Sequence, residues 1–295
     1  MLVEILQIMV PIVAVVAIGL LYGRRHKPDI SAANHMNTAI FAPALIFSVL
    51  ASTDSAIQNY LNITLAGGFV VLGSGLVLLP LVWLLKIDLR SFLPPMMFNN
   101  AGNLGLPLLV LAFGEQAMPL AVCLLIIEML LHFTVGIVLL TGRFDPKQIL
   151  TMPIIQATIL GVAWSTMGWS LPEVVAIPLE MLGQISIPLM LFTLGVRLTE
   201  VDLSDWKLGV LGAIACPLSG IVCALPMLWL LPLSPLEQAC LLLFASLPPA
   251  VLNFIVAEQY QVAPKRVASI VLIGNLGSLL VMPLMLYWVW IVNGS

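Results

Sequence analysis

The chain has 295 residues, of which 61% are hydrophobic and only 8% are charged. A soluble domain carries about 25% charged residues, so this composition excludes an ordinary soluble protein. The net charge of −3 gives no basic excess for binding nucleic acid. Apolar runs of about 20 residues, long enough to cross a bilayer as helices, recur along the chain and predict a multi-pass membrane protein.

Ten apolar segments follow one another, and each is predicted to be a helix that spans the membrane. A helix is expected because it satisfies its backbone polar groups internally, which hydrocarbon demands. In chain order the predicted spans cover residues 3–22, 36–51, 62–85, 96–114, 118–140, 149–169, 178–197, 208–231, 236–258 and 267–291. The expected fold class is therefore an all-α membrane protein with ten transmembrane helices.

The basic residues predict the orientation of these spans. All eleven Lys and Arg residues lie in or at the edge of the loops that follow odd-numbered spans. The opposite loops and both ends of the sequence have none. The positive-inside rule then places the odd-numbered loops in the cytoplasm and both termini on the periplasmic or extracellular side.

Three short patterns occur twice at nearly the same offset. Pro11 matches Pro153 at an offset of 142, Pro43 in span 2 matches Pro188 in span 7 at 145, and Glu115-Gln116 matches Glu258-Gln259 at 143. These matches predict two repeats, residues 1–145 and 146–295, although chance similarity among apolar helices is the alternative. Because each repeat has five spans, the second enters the membrane from the opposite face, as in many secondary transporters.

Polar and helix-breaking residues interrupt spans 4 and 9 near their middles. Within span 4, residues 98–110 contain three asparagines, two glycines and a proline. Span 9 contains a Pro-Pro pair that removes two backbone donors. A break at this depth is tolerated only where it is buried in protein or lines a wet cavity. The predicted binding residues are Asn99, Asn100, Asn103, Gly105, Pro107, Ser246, Pro248, Pro249 and Asn253.

The breaks predict a site for an anion. Half-helices that begin near the midplane have free N–H groups and about half a positive charge at their amino ends. Carboxamides add neutral donors, which hold a carboxylate without placing a fixed charge in the membrane. The alternative is a pair of kinks satisfied by water and asparagine side chains, with no ligand.

An acidic residue inside span 5 predicts a second function. Glu128 lies one helical turn before His132, and an intramembrane carboxylate is by default a functional candidate. The pair can carry a coupling proton or receive a cation, or it can lock helix packing with the Glu neutral. Asn275 is a weaker site candidate, because a close-packing helix face with one buried amide is the alternative interpretation. Ser48 and Thr193 are also weaker candidates, because hydroxyls in helices commonly bond to their own backbone.

Two motifs resemble the auxin efflux carrier family in its bacterial branch. They are N-N-A-G-N-L-G-L-P at 99–107 and P-P-A-V-L-N-F-I-V-A-E-Q-Y at 248–260. The resemblance covers essentially the whole chain and implies a fold similar to that of the bile-acid sodium symporters, with helices 4 and 9 broken and crossing. It also implies a scaffold of spans 1, 2, 6 and 7 and a transport domain of spans 3–5 and 8–10.

The same resemblance implies an elevator-type transporter of small organic anions such as mono- or dicarboxylates, in the bacterial inner membrane and often as a homodimer. From the residues themselves, a proton carried by the Glu128–His132 pair or a sodium ion bound by unwound carbonyls is a candidate coupling ion, and sodium ranks below proton coupling or passive export. A sodium-coupled symporter or an anion channel is the alternative function. No zinc motif of the His-Glu-x-x-His type and no recognisable Ser–His pairing occurs, so we expect neither an enzyme, a cofactor nor a bound metal.

Overall fold

The computed structural model describes residues 2–52, 60–144, 146–199 and 205–293. Within these residues all regular structure is helical, apart from one isolated bridge between Asn99 and Pro249. The helices are α1 Leu2–His26, α2 Ser31–Ala51, α3 Leu61–Leu84, α4 Leu89–Met97, α5 Ala101–Phe113, α6 Glu115–Thr141, α7 Pro146–Leu150, α8 Pro153–Thr166, α9 Glu173–Arg197, α10 Trp206–Leu230, α11 Pro235–Ala245, α12 Val251–Gln259 and α13 Pro264–Asn293.

Within the described residues, seven helices are long and apolar enough to cross a membrane, namely α1, α2, α3, α6, α9, α10 and α13. Two further helices, α5 and α11, are apolar but shorter. The all-helical membrane fold predicted from composition is therefore confirmed for the described residues. In the regions of predicted spans 4 and 9, the structure has two short helices each, α4 with α5 and α11 with α12.

The first of these short helices begins earlier than the sequence predicts. Span 4 is predicted from residue 96, whereas α4 begins at Leu89. Its start is capped by Asp88, whose side chain accepts a hydrogen bond of 3.0 Å from the backbone N–H of Ser91. Arg90 and two prolines make this stretch resemble a loop, yet residues 91–97 are all buried. Burial against neighbouring helices outweighs the weak local helix propensity.

The helices pack in two sets. In one set α9 packs against α1 and α2, and α2 also packs against α8. In the other set α10 packs against α3 and α13, and α3 also packs against α6 and α4. The α1–α9 pair is close because Gly19 lies against the backbone of Phe192 and Gly195 against the backbone of Val16. Small residues allow such close approach between membrane helices, where packing drives association.

In the part of the chain that the structure describes, three helices contain a π-helical turn, and each turn contributes residues to the wall of the same cavity. The turns are Asn37–Phe41 in α2, Ala101–Gly105 at the start of α5 and His132–Gly136 in α6. A π-turn shifts the direction of the side chains that follow it and is frequent at functional sites. The three turns therefore mark the cavity described below.

We expect Gly195→Ala to destabilise the protein by about 1–3 kcal/mol, because the added methyl group overlaps the Val16 carbonyl and forces α1 and α9 apart. Thermal unfolding of the detergent-solubilised protein measures this loss. Gly277→Ala is the matched control, since its methyl group meets only the Ala213 Cβ at 3.6 Å. Equal stability of the two variants would contradict this view of the α1–α9 contact.

Candidate functional site

A short hydrogen-bonded junction joins the segment between α4 and α5, residues 98–100, to the segment between α11 and α12, residues 246–250. Asn99 and Pro249 form an antiparallel bridge. The Asn100 backbone N–H donates to the Pro248 carbonyl at 2.7 Å, and the Ala250 N–H donates to the Phe98 carbonyl at 2.9 Å. Because a buried backbone group without a partner is costly, each segment satisfies the polar atoms that the other leaves free.

The asparagine side chains complete this junction. Asn99 Nδ2 donates to the Phe244 carbonyl at 2.7 Å, and Asn253 Nδ2 donates to the Phe98 carbonyl at 2.8 Å. Each carboxamide thus binds a carbonyl of the opposite segment. The Oδ1 atoms of Asn99 and Asn253 are buried and accept no hydrogen bond from the described residues.

Asn275 of α13 connects the same two segments from the side. Its Oδ1 accepts a hydrogen bond of 2.9 Å from Asn100 Nδ2, and its Nδ2 donates to the Pro249 carbonyl at 2.9 Å. Asn275 is only 6% exposed. A residue that the sequence ranked as a weak site candidate therefore holds the junction together.

A cavity of about 380 Å³ lies beside the junction. It separates residues of α2, α8 and α9 on one side from the junction, α6 and α12 on the other. Its polar and charged lining residues are Asn34, His35, Asn37, Thr38, Asn99, Asn100, Asn103, Glu128 and Arg197. The cavity is large enough for a small organic molecule and has convergent polar groups, which is typical of a ligand site.

Two helices begin at the wall of this cavity. The amino end of α5 contributes Gly102 and Asn103, and the amino end of α12 contributes Val251 and Leu252. No side chain of the described residues caps either amino end by a hydrogen bond. Two helix amino ends that meet one cavity give it a positive potential without a fixed charge.

The three asparagines of the first motif differ in what they can do. Asn99 and Asn100 are buried and bonded within the junction, as described above. The Asn103 side chain is partly exposed to the cavity and makes no hydrogen bond within the described part of the chain. Of the three, Asn103 is therefore the one whose donors are available to a ligand.

Glu128 reaches the cavity from α6 and is paired with the histidine behind it. Glu128 Oε1 lies 3.2 Å from His132 Nδ1, and both residues are buried. The His132 ring stacks on Phe98, with the ring centroids 4.3 Å apart, and its Nε2 has no partner among the described residues. Phe98 belongs to the junction, so the Glu128–His132 pair and the junction are in contact.

Several predicted site residues do not line the cavity. Three hydroxyl side chains each donate a hydrogen bond to the backbone carbonyl three residues earlier, namely those of Ser246, Ser48 and Thr193. Their hydroxyls are thus used within their own helices. A methyl group on Gly105 would lie 2.5 Å from Leu247 Cδ1, so this glycine permits the two segments to approach. The other predicted residues with buried positions away from the cavity are Pro107, Pro248, Pro249, Asn253, His132 and Asn275.

Sequence reasoning did not assign several polar lining residues to the site, among them Asn34, His35, Thr38 and Arg197. Arg197 ends α9 and was interpreted only as a marker of orientation, yet it lines the cavity. Asn34 lies on α2 and has a buried Nδ2 atom without a partner in the described chain. The only signal for Arg197 was its position as the last residue of a predicted span. No group of three or more His, Cys, Asp or Glu residues that suits a metal ion occurs in the described ranges.

Comparisons with known proteins identify the family. A family model described as "Membrane transport protein" matches residues 137–286. This chain belongs to that family. The match confirms the resemblance to auxin efflux carriers, whose members are transporters and not enzymes. It includes the second motif, at 248–260, and excludes the first.

Two curated relatives agree with this assignment. One, named an uncharacterized transporter of Methanocaldococcus jannaschii, is 31% identical over 209 residues, which are 66% of this chain and 66% of the relative. The other, named "Putative malonate transporter", comes from Rhizobium meliloti (strain 1021) and is 29% identical over 212 residues, or 64% of each chain. The chain thus spans somewhat less than two thirds of the length of these relatives.

Asn275→Ala is expected to lower the free energy of unfolding by about 1–3 kcal/mol for each buried group that it leaves unpaired, Asn100 Nδ2 and the Pro249 carbonyl. Thermal unfolding in detergent measures the change. Ser278→Ala is the control, since the Ser278 hydroxyl bonds only to the Asn275 carbonyl of its own helix. A larger loss in Ser278→Ala than in Asn275→Ala would show that Asn275 does not hold the junction.

Proposed function

We propose that this protein is a secondary transporter of small organic anions, and that the substrate binds in the cavity beside the junction. The observation that carries the proposal is the meeting of two uncapped helix amino ends and the Asn103 carboxamide at one cavity. This arrangement favours an anion through backbone dipoles and neutral donors. It suits a carrier, because helix dipoles and neutral donors bind an anion reversibly.

The substrate class follows from the cavity and from one relative. Small mono- or dicarboxylates carry the negative charge that helix amino ends favour. They also fit within the cavity of about 380 Å³. The Rhizobium meliloti relative is named for malonate, which is a dicarboxylate. Since the chain is 29% identical to that relative over 64% of its length, malonate is the first substrate to test.

The mechanism that we propose is elevator-type alternating access. Ten spans form two inverted five-helix repeats, residues 1–145 and 146–295, with broken and crossing spans 4 and 9. The scaffold is α1, α2, α8 and α9, and the remaining helices move with the substrate. The separate packing of these two sets supports the division, as does the position of the cavity between them. A homodimer rests on the family resemblance alone.

The orientation proposed from the basic residues determines the side of the membrane to which the cavity opens. Lining residues Asn34, Met152 and Arg197 lie near the loops that carry the basic residues. With these loops in the cytoplasm and both termini outside, the cavity opens toward the cytoplasm of a bacterial inner membrane. We therefore propose that the cavity is the inward-facing binding site.

Counterflow in proteoliposomes tests the function. Vesicles loaded with unlabelled malonate are expected to accumulate labelled malonate from a sodium-free bath transiently, with saturable rates, because a carrier exchanges one bound substrate for another. An anion channel would give large unsaturated currents and no counterflow. The absence of both counterflow and current for malonate and for monocarboxylates would contradict the proposal.

Asn103→Ala is expected to reduce counterflow at least about tenfold, because a lost hydrogen bond to a charged group costs about 1.5–3 kcal/mol. Its folding is expected to be intact, since the side chain has no hydrogen bond in the described chain. Asn62→Ala is the control, as Asn62 lies near the start of α3 and outside the cavity. Normal counterflow in Asn103→Ala would exclude this carboxamide from the site.

Glu128 and His132 are proposed to carry the coupling proton. Glu128 faces the anion cavity and His132 backs it, while His35 and Arg197 are the other described charged or titratable groups in the lining. A charged Glu128 repels a carboxylate, so a proton on the pair favours binding. In wild type, an imposed pH gradient across the vesicle membrane should therefore drive net uptake.

Glu128→Gln is expected to retain counterflow but to lose the stimulation by the pH gradient, since glutamine stays neutral at every pH. Net uptake with and without the gradient measures the difference, and wild type under the same gradients is the reference. Gradient-driven uptake that survives in Glu128→Gln would assign the pair a purely structural function.

Sodium coupling is the second candidate, and one observation favours it. The Oδ1 atoms of Asn99 and Asn253 are buried acceptors without partners among the described residues, and carbonyl oxygens are ligands for hard cations. Transport that appears only when sodium is added would favour this alternative. Full transport in sodium-free buffer would exclude it.

A further inference from the structure

Another cavity, of about 350 Å³, opens on the surface of the protein and carries three basic residues. This basic pocket lies where the loop after α3 meets the beginnings of α10 and α13. Its charged lining residues are Lys86, Lys207, Arg266 and Asp205. None of its described lining residues also lines the large cavity beside the junction. The basic pocket is therefore separate from the site proposed for the transported anion.

The basic pocket has an excess of positive charge. Arg266 Nε donates a hydrogen bond of 2.9 Å to Asp205 Oδ2, and this ion pair holds both side chains at the wall of the pocket. Asp205 thus offsets only one of the three positive charges. Lys86 and Lys207 are exposed and form no ion pair within the described residues. Two ammonium groups, each with three donors, are therefore left to bind an anion.

Neighbouring tryptophans indicate the depth of the basic pocket in the membrane. Lys207 Nζ lies 5.9 Å from the centroid of the Trp206 ring. Trp206 is 55% exposed, and Trp83, near the end of α3, is 70% exposed. Exposed tryptophans of membrane proteins are enriched at the level of the lipid head groups. The pocket therefore lies at that level, on the side of the basic loops.

Apolar side chains form the rest of the wall of the basic pocket. They are Leu85, Ile87, Leu208 and Leu211. The apolar surface continues onto the outer faces of α3 and α10, where Leu84 is 79% and Val210 is 41% exposed. A soluble anion would leave this apolar wall uncovered. A phospholipid would cover it with its acyl chains while its phosphate meets the basic residues.

We propose that the basic pocket binds the phosphate of an anionic phospholipid from the leaflet on the side of the basic loops. Lys86, Lys207 and Arg266 are the residues that contact the phosphate. Basic pockets between transmembrane helices suit anionic lipid head groups, because the attraction acts where water already hydrates the charges. The bound lipid connects the end of α3 to the beginnings of α10 and α13.

The backbone at Lys86 permits a substitution that removes its charge and keeps the fold. Lys86 follows the end of α3 with a φ of 53°. Its N–H donates to the Trp83 carbonyl at 3.3 Å, and the Ile87 N–H donates to the Val82 carbonyl at 3.0 Å. Glycine is the usual residue at this position of such a helix end. Lys86→Gly with Lys207→Gln therefore removes both ammonium groups and preserves the turn.

Lys27→Gly with Lys265→Gln is the matched control. Lys27 also follows the end of a helix with a positive φ, of 43°. Lys265 is exposed and directly precedes Arg266. Neither residue lines the basic pocket. The control thus removes two positive charges from the same side of the membrane, one of them at a comparable backbone position.

Native mass spectrometry of the delipidated full-length protein tests the proposal. The probe is dioleoyl phosphatidylglycerol, and dioleoyl phosphatidylcholine, which has the same chains and no net charge, is the reference. Wild type is expected to bind its first phosphatidylglycerol at least about tenfold more tightly than phosphatidylcholine, because several basic residues attract the anionic lipid. Lys86→Gly with Lys207→Gln should lose this preference, and the control should retain it.

Three results would overturn the proposal. Equal affinity of wild type for the two lipids would show that the pocket does not select an anionic head group. An equal loss in the control variant would show that diffuse surface charge attracts the lipid. Displacement of phosphatidylglycerol by an equal concentration of glycerol 3-phosphate would assign the pocket to a soluble phosphate. None of these results depends on anion transport, so they leave the proposed function unaffected.

Lys207→Gln alone is the second variant, for use if the double variant is not recovered as a monodisperse protein. Its side chain is exposed, so its folding should be intact. Its affinity for phosphatidylglycerol is expected to fall about fivefold, since one basic residue is lost. An affinity equal to that of wild type would exclude Lys207 from the lipid site.

Discussion

The hydrogen-bonded junction between residues 98–100 and 246–250 is the constraint on which the site depends. Two chain segments leave helical geometry where they are buried in the protein, so water is not there to bond to their backbone polar groups. Each segment supplies the partners that the other lacks, through Asn99, Asn253 and backbone groups. Without this mutual satisfaction, unpaired polar groups would cost several kcal/mol each in hydrocarbon.

The junction also explains why the polar residues nearby are asparagines and not charged residues. A carboxamide has two donors and an acceptor, so Asn275 can bind Asn100 and the Pro249 carbonyl at the same time. A fixed charge at this place would have to be desolvated in every state of the protein. Neutral amides allow the cavity to attract an anion and then to release it.

Charged groups are placed around the junction and not within it. Glu128 lies on α6 with His132 against Phe98, and Arg197 lies at the end of α9. The Glu128–His132 pair therefore gains or loses a proton beside both the cavity and the junction. The proposed proton site is therefore in direct contact with the proposed substrate cavity, and coupling between them requires no long-range pathway.

The sequence by itself determined the membrane class, the helical fold and the two regions that carry the polar motifs. Composition and periodicity are local properties, and hydrocarbon permits few alternatives to helices. Family membership was also evident from the motifs at 99–107 and 248–260. The start of α4 was missed because Pro94 and Pro95 resemble a loop. The Asp88 cap and burial by other helices stabilise that segment as a helix.

Only the tertiary structure decided which candidate residues share a cavity. Asn100 and Asn103 both line the cavity, but Asn100, which directly precedes α5, donates its side-chain hydrogen bond to Asn275, 175 positions away. Asn103 makes no such bond within the described chain, so its donors are available to a ligand. No local pattern separates two asparagines of one motif, because the difference lies in which distant helix each one meets. The same holds for Arg197, whose position at a helix end predicts orientation in the membrane. Its place in the cavity depends on how α9 packs beside α12.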